Sequence, residues 1–395
     1  MAPAHKCYPN HYCDLQAPGG KHLVLVLLSP LLPLIDHGHF QISNSLMASL
    51  SMLTLYLATS TKSFPSPPPP SSSSATPRDY VPLSKVFACV SFVCALCVKQ
   101  MALYYAPVVF FYLLGWAMSP SKASSKFLRL ATLGLPVIAT ASIIFLPFIS
   151  NGQLLLVFNR MFPVSRGAYE SKVGSLWCML DVKPFDITKR VGGGTLPLVA
   201  LLATCAGISP SCAYAFRAGV DEKAAGGAVS LRKMLFAAAA CASTFFLTSY
   251  HVHEKTILLP LIPIQLLGGG DGRHATFVAI FSVLSAWTCS FLMELDGLKT
   301  EFWGLLLLYG AACASTTVDR KITATVVSGR LHKSVEWATR RLFPLLLIAC
   351  GGVEIAKIFV PVPVKALPDL YELAVAAVAF VSVGWAWIWL HFNRP

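Results

Sequence analysis

Charge is scarce in this chain. Only 12% of its 395 residues are Asp, Glu, Lys or Arg, against 55% hydrophobic. A soluble domain cannot hide that much apolar surface, because surface area grows too fast with chain size. Lipid as the solvent removes the difficulty. Carboxylates are the scarcer sign, 18 against 31 basic residues, for a net charge of +13. Such a surplus can mark a nucleic-acid binder. Here, however, the basic residues sit in short connections between apolar runs, the arrangement by which membrane proteins orient themselves. No nucleic-acid partner is expected.

Other absences narrow the field further. The first 22 residues are polar and lack the apolar core of a cleavable signal, so the first apolar run is expected to act as an uncleaved anchor behind a cytosolic N-terminus, 1–22. No N-x-S/T glycosylation sequon occurs to report sidedness. Cysteine is plentiful, yet Cys89, Cys94, Cys97, Cys205, Cys241, Cys289, Cys313 and Cys350 all lie inside apolar runs and read as small hydrophobes. Cys94 and Cys97 form a C-x-x-C without a nearby histidine or second pair, so neither a metal site nor a disulfide framework is expected.

What the chain has is a series of about ten to twelve apolar segments. They lie near 23–35, 46–59, 83–98, 101–118, 129–150, 195–216, 233–250, 256–267, 275–291, 302–317, 341–360 and 368–390. The fold class expected is an all-α polytopic membrane bundle occupying 23–395. Several runs fall short of the roughly 20 residues that a perpendicular span needs. Those at 23–35 and 256–267 also carry Pro30, Pro33, Pro260 and Pro263. Broken helices are tolerated only where they line a cavity or pack inside protein, so their mouths are natural places for a site. The segment 60–82, dominated by Pro and Ser between Ser63 and Pro77, reads as a disordered loop.

Basic residues set the orientation. Lys122, Lys126 and Arg129, then Arg217, Lys223, Arg232 and Lys233, then Arg320, Lys321, Arg330, Lys333 and Arg340 mark three connections as cytosolic, the last being the loop 318–340. Strict alternation of the spans then puts four polar clusters on the opposite face. The long connection 151–194 is expected there too, although it carries Arg160, Arg166, Lys172, Lys183, Lys189 and Arg190. Either it crossed regardless of charge, or some of these cations meet an anion; arginine is a preferred partner of phosphate.

The first cluster, Asp36, His37, His39 and Gln41, sets a carboxylate, two imidazoles and an amide at the mouth of a proline-broken run. Two histidines with one Asp are weak evidence for a metal, and hydrogen bonding to a polar ligand such as a sugar is the better reading. The second, Lys99 to Tyr105, is equally compatible with a snorkelling lysine and interfacial tyrosines. The third runs from Arg160 through Arg166, Glu170 and Lys172 to Trp177; cations and aromatics together suit a sugar phosphate, while an amphipathic interfacial helix is the bland alternative. The fourth, His251, His253, Glu254 and Lys255, opens the run at 256–267 and does not match the H-E-x-x-H zinc template. Glu354 and Lys357, three apart, are expected to pair within the bundle.

Four strings, LIDHGHFQ at 34–41, KQMALYYAP at 99–107, RMFPVSRGAYESKVGSLWC at 160–178 and HVHEKTILLPLIP at 251–263, resemble in this order the endoplasmic-reticulum glucosyltransferase family that works on lipid-linked oligosaccharide. KQMALYYAP is closer to the first glucosyltransferase than to the second. The resemblance implies the helical architecture of dolichyl-phosphate-sugar-dependent glycosyltransferases in the endoplasmic-reticulum membrane, with the active face luminal. It implies dolichyl-phosphate glucose as donor and dolichyl-diphosphate high-mannose oligosaccharide as acceptor, with no cofactor. The product is an α-1,3 glucoside made by inversion, destined for N-glycosylation. Such a displacement needs a general base on the acceptor hydroxyl and cations on the departing phosphate. Carried onto this chain, Lys255, Arg160 and Arg166 are expected at the phosphate, with His251 and His253 nearby. Asp36, His37, His39, Gln41, Glu170 and Lys172 are expected to touch glycan or orient other groups.

The family's first luminal loop, which carries the expected base, has no counterpart here, and its second acidic residue after Glu170 is replaced by Ser171. An N-terminally truncated member is expected, active or inactive, with Glu254 and Asp36 as weak stand-ins for the base. Two rivals remain: a transporter or flippase of a lipid-linked sugar, and a non-catalytic remnant that binds the carrier. A transporter should line a path across the midplane with polar groups; here they gather at one face.

Overall fold

The structure is a computed structural model, describing residues 26, 28–38, 43–61, 81–161, 172–182, 185–192, 194–268, 275–318, 330–360 and 369–395. Residues 1–22, most of 60–82 and the first part of 318–340 lie outside this set. Every regular element among the described residues is helical, and the architecture is a polytopic membrane bundle. Six helical stretches are long and apolar enough to cross a bilayer: 123–150, 196–220, 227–248, 275–295, 337–359 and 370–392. Two other apolar helices, α2 (Leu83–Val98) and α3 (Ala106–Met118), are shorter.

The centre of the bundle is α9 (Gly227–Thr248). Its middle reads Ala237-Ala238-Ala239-Ala240-Cys241-Ala242, and all six side chains are buried. In lipid there is no hydrophobic drive between helices, so small residues that let backbones approach closely supply the packing. α9 accordingly touches α1 (Ser43–Thr59), α3, α8 (Leu196–Val220), α10 (Leu258–Leu267) and α15 (Leu370–Phe392). The α3–α8 pair uses the same device. A Cβ added at Gly115 would collide with the carbonyl oxygen of Phe216, and one at Gly219 with that of Tyr112. By contrast α4 (Ala123–Ser150) is almost wholly exposed, with Leu135, Ile138, Ile143 and Leu146 outward, as a lipid-facing helix must be.

Two stretches differ from their sequence reading. The connection 151–194 is not all loop: it holds α5 (Leu154–Met161), α6 (Leu176–Leu180) and α7 (Ile187–Val191). α5 leaves Leu155, Leu156 and Phe158 exposed and stacks Phe158 on Phe145 of α4, 5.6 Å between centroids, which suits an element lying in the membrane interface. The span before the last, which follows α11 (Ala275–Trp287), α12 (Ser290–Leu295) and α13 (Lys299–Val318), also starts earlier than its apolar run at 341–360, because α14 extends over Arg330–Phe359. Nothing between Arg330 and Arg341 breaks a helix, and the Arg341 guanidinium sits 4.5 Å from the Trp337 ring centre, so polar residues continue the helix beyond the apolar part.

Polar side chains segregate to two ends. At one end Lys85, fully buried, reaches both carboxylate oxygens of Glu222 at 2.9 and 2.7 Å and the carbonyl of Ala58 at 2.5 Å. The Tyr112 hydroxyl donates to the same carboxylate at 2.9 Å. Arg129, also buried, donates to the Trp116 carbonyl at 2.9 Å and to Ser119 Oγ at 3.1 Å, with its guanidinium 4.2 Å from the Trp116 ring centre. That carbonyl is available because Pro120, four residues on, has no N–H to offer it. The C-terminus returns to this end, where Tyr214 donates to the Pro395 carbonyl. Described residues of the basic connections 119–129 and 217–233 therefore share one end, as alternation requires.

Removing one partner of a buried ion pair leaves an uncompensated charge and costs about 3–5 kcal/mol, whereas replacing both by apolar residues is close to neutral. Lys85→Met is thus expected to lower the detergent-solubilised protein's unfolding temperature sharply, and the Lys85→Met/Glu222→Met pair to restore most of it. Equal damage from single and double variants would show that the pair does not hold this end together.

Candidate functional site

The opposite end is built by residues that finish or start helices there. Asp36 lies in a π-helical turn, Leu34–Gly38, and is 1% exposed. Its carboxylate accepts from the amides of Asn44 at 3.2 Å and Ser45 at 2.6 Å. These are first-turn amides of α1 with no partner inside the helix, so Asp36 acts as a remote N-terminal cap. The sequence reading left Asp36 as a group touching glycan, orienting other residues or weakly standing in for the base; here both of its oxygens are engaged with α1 amides. For His37 the described structure is backbone only, and His39, Gln41, Arg166 and Glu170 lie outside the described residues.

Lys99 stands where α2 stops, in extended backbone before a 3-10 turn, Gln100–Tyr104. Its Nζ lies 2.5 Å from Asn44 Oδ1. Burial, and then the positive charge of Lys255, push its ammonium down to about 8, while the Asp36 carboxylate pulls the other way. Lys99, Asp36 and Lys255 are thus brought together from three separate parts of the sequence. Arg160, exposed in the last turn of α5, lines a cleft of about 260 Å³ together with Lys99, Leu96, Gln100, Val157 and Met161.

Lys255 belongs to a 3-10 turn, Glu254–Ile257, leading into α10. His253 ends the preceding extended segment, and its carbonyl accepts from Thr256 Oγ1 at 2.6 Å and Thr256 N at 3.0 Å. The His251 and His253 rings meet edge to face at 4.9 Å. The break in α10 has a partner in the second cluster. Pro263 has no N–H for the carbonyl of Leu259, four residues earlier, and the buried Tyr105 hydroxyl donates to that carbonyl at 2.6 Å. Tyr104 stacks on Phe245 of α9 at 4.7 Å. The tyrosines are therefore packing and satisfying groups rather than interfacial belt residues.

A second group of charges adjoins the first through Glu254. Glu254 shares a small crevice with Lys172, Val173, Gly174 and Thr288. Lys172 is bridged to Asp369 at 3.3 Å, at the start of α15. Trp177 fixes this segment by donating to the Thr248 carbonyl at 2.7 Å, one of the last carbonyls of α9. The Glu354–Lys357 pair forms as the spacing implies, at 3.1 Å, and widens into a network: Trp287 donates to Glu354 at 3.1 Å and Glu294 lies 3.7 Å from Lys357.

Lys255, His251, His253, Lys172, Glu254 and Asp36 therefore all gather at one end, with Arg160 on the adjoining interfacial helix. Lys99, Asn44 and Trp177 carry weight that sequence reading missed. Lys99 was visible as a lone lysine between apolar runs; nothing in the spacing links Asn44 to it.

The chain is thus a polytopic membrane bundle with a second group of cations and carboxylates at the end opposite the Lys85–Glu222 pair. The chain belongs to the ALG6, ALG8 glycosyltransferase family, whose model matches residues 16–391. It is 30% identical to the dolichyl pyrophosphate Man9GlcNAc2 alpha-1,3-glucosyltransferase of Saccharomyces cerevisiae, over 96% of this chain and 66% of that protein. It is 29% identical to the protein of the same name from Gallus gallus, over 93% of this chain and 68% of that protein. The chain thus spans about two thirds of the length of these curated relatives.

Tyr105→Phe removes the hydroxyl that donates to the buried Leu259 carbonyl, a loss of about 1–3 kcal/mol. Thermal unfolding in detergent should register this loss. An unchanged midpoint would mean that the break at Pro263 needs no such support.

Proposed function

We propose that this chain carries the transfer of glucose from dolichyl-phosphate glucose to the high-mannose oligosaccharide on dolichyl diphosphate. The bond formed is α-1,3, with inversion at the anomeric carbon, in the endoplasmic-reticulum membrane and at the luminal face. The observation that carries this reading is family membership over most of the chain combined with the gathering of Lys99, Lys255 and Arg160 at one end. The names of the relatives support the first glucosyltransferase reaction over the second. The segregation of basic connections at the other end supports the luminal assignment.

In this reading Lys255 and Arg160 hold the phosphate as it departs, with Arg166 completing the set and His251 and His253 framing the turn. Fixed cations aimed at developing charge stabilise a transition state without the reorganisation that water would need. Glu254, which lines the crevice with Lys172, is the carboxylate assigned to the acceptor side in this reading, since Asp36 is committed to α1.

The test is glucosyl transfer by the chain in nanodiscs, with dolichyl-phosphate glucose and the lipid-linked Man9GlcNAc2 acceptor. Lys255→Ala is expected to lower the rate about 10²-fold or more, the usual loss when one charge-stabilising group is removed. Undiminished transfer by Lys255→Ala would remove Lys255 from the phosphate site. No transfer by the unmutated chain would overturn the reading itself.

A further inference from the structure

We propose that Lys99 grips the phosphate of the lipid-linked donor, in a cleft that opens toward lipid between the end of α2 and the interfacial helix α5. The inference rests on the donor reading above and adds to it a residue, a place of entry and a proton.

The cleft has two kinds of wall. Leu96, Val98, Val157 and Met161 are apolar, and Lys99 and Arg160 supply two cations at its polar end. α5 follows directly on α4, whose outward face is leucine and isoleucine along most of its length. An apolar chain lying along that face would present a phosphate head at the level of the two cations. A free sugar phosphate would use the cations alone; a polyprenyl phosphate uses both walls.

The charges at this corner are compatible with an anion. Lys99, Lys255 and Arg160 bring positive charge, against the Asp36 carboxylate, which already accepts from two amides, and Glu254 beside Lys255. Lys99 is not extended toward headgroups as a snorkelling lysine would be; its ammonium is turned to Asn44 and within reach of the Lys255 field. A phosphate in the cleft would meet Lys99 and Arg160 and give each a charge-assisted hydrogen bond.

This arrangement makes donor binding a proton-linked event. Before any donor binds, burial and the Lys255 charge hold Lys99 down to about 8. A bound phosphate favours its charged form, so above that pH the donor must bring a proton onto Lys99 as it binds. The titratable and charged groups around it are Asp36 from the π turn, His251, His253, Glu254 and Lys255 from the turn before α10, Cys97 on α2 and Arg160 on α5.

The experiment measures binding of a fluorescent polyprenyl-phosphate glucose, a phosphodiester of constant charge, to the full chain in nanodiscs. Affinity is expected to be flat near neutrality and to fall up to about tenfold per pH unit above about 8. Lys99→Arg keeps its charge throughout, so the fall should disappear while binding persists. Lys99→Met should weaken binding about tenfold or more near neutral pH, the usual effect of a lost charge-assisted bond. Unchanged binding in Lys99→Met, or an unaltered pH profile in Lys99→Arg, would overturn the assignment; the arginine variant keeps the test available should the methionine variant fold poorly. Displacement of the lipid probe by millimolar inorganic phosphate would overturn the lipid part and leave a simple anion site. Lys99-dependent binding without any glucosyl transfer would support the site while rejecting the transferase reading.

Discussion

Inside a bilayer no water is available to satisfy a polar group, and each one must find its partner within the protein. Much of the arrangement of this chain follows from that constraint. Lys85 would be intolerable without Glu222, and Glu222 without Lys85 and Tyr112. The same rule governs backbone. Proline at 263 leaves one carbonyl of α10 without its helical donor, and Tyr105 crosses from another element to supply it. Because each satisfaction joins distant parts of the sequence, the polar groups lock the helices in register as well as paying their own desolvation. The result is two polar layers, one at each end, separated by a middle packed largely with small and apolar side chains.

The two layers differ in character. At the Lys85 end, opposite charges meet and close on each other. At the other end, ion pairs such as Lys172 with Asp369 and Lys357 with Glu354 stand beside a corner where Lys99 and Lys255 approach each other. The first layer is one closed cluster, while the second brings like charges close together. That difference, more than the number of charged residues, distinguishes a structural clamp from a place prepared for an anion.

Much of this was legible in the sequence. Scarce charge, long apolar runs and the position of basic connections define a polytopic bundle, and the H-x-H-E-K string marks the mouth of a broken helix. The boundaries were less legible where polarity and helicity part company: α14 starts at Arg330, ahead of its apolar stretch at 341–360, because arginine and tryptophan are adequate helix formers. The roles of single residues were least legible. Asp36 looks like a ligand-facing carboxylate in one dimension and is a helix cap in three. Lys99 looks like an interfacial anchor and instead faces Asn44 and Lys255. Such pairings join positions more than fifty residues apart, as with Lys99 and Asn44, and no local pattern encodes them.

The run of small residues at the centre of α9 reverses the usual scale of mutational tolerance. On the outer helices large aliphatic side chains such as Ile143, Leu307, Ile348 and Ile358 are 69–77% exposed and interchangeable with any lipid-soluble neighbour. Ala237 to Ala242 are among the least conspicuous residues in the chain, yet five neighbouring helices close around α9. Conservative-looking changes there, alanine to valine or cysteine to leucine, add volume where none is free. Inherited variation in such a protein is therefore best tolerated where its residues are bulkiest and least tolerated where they are smallest.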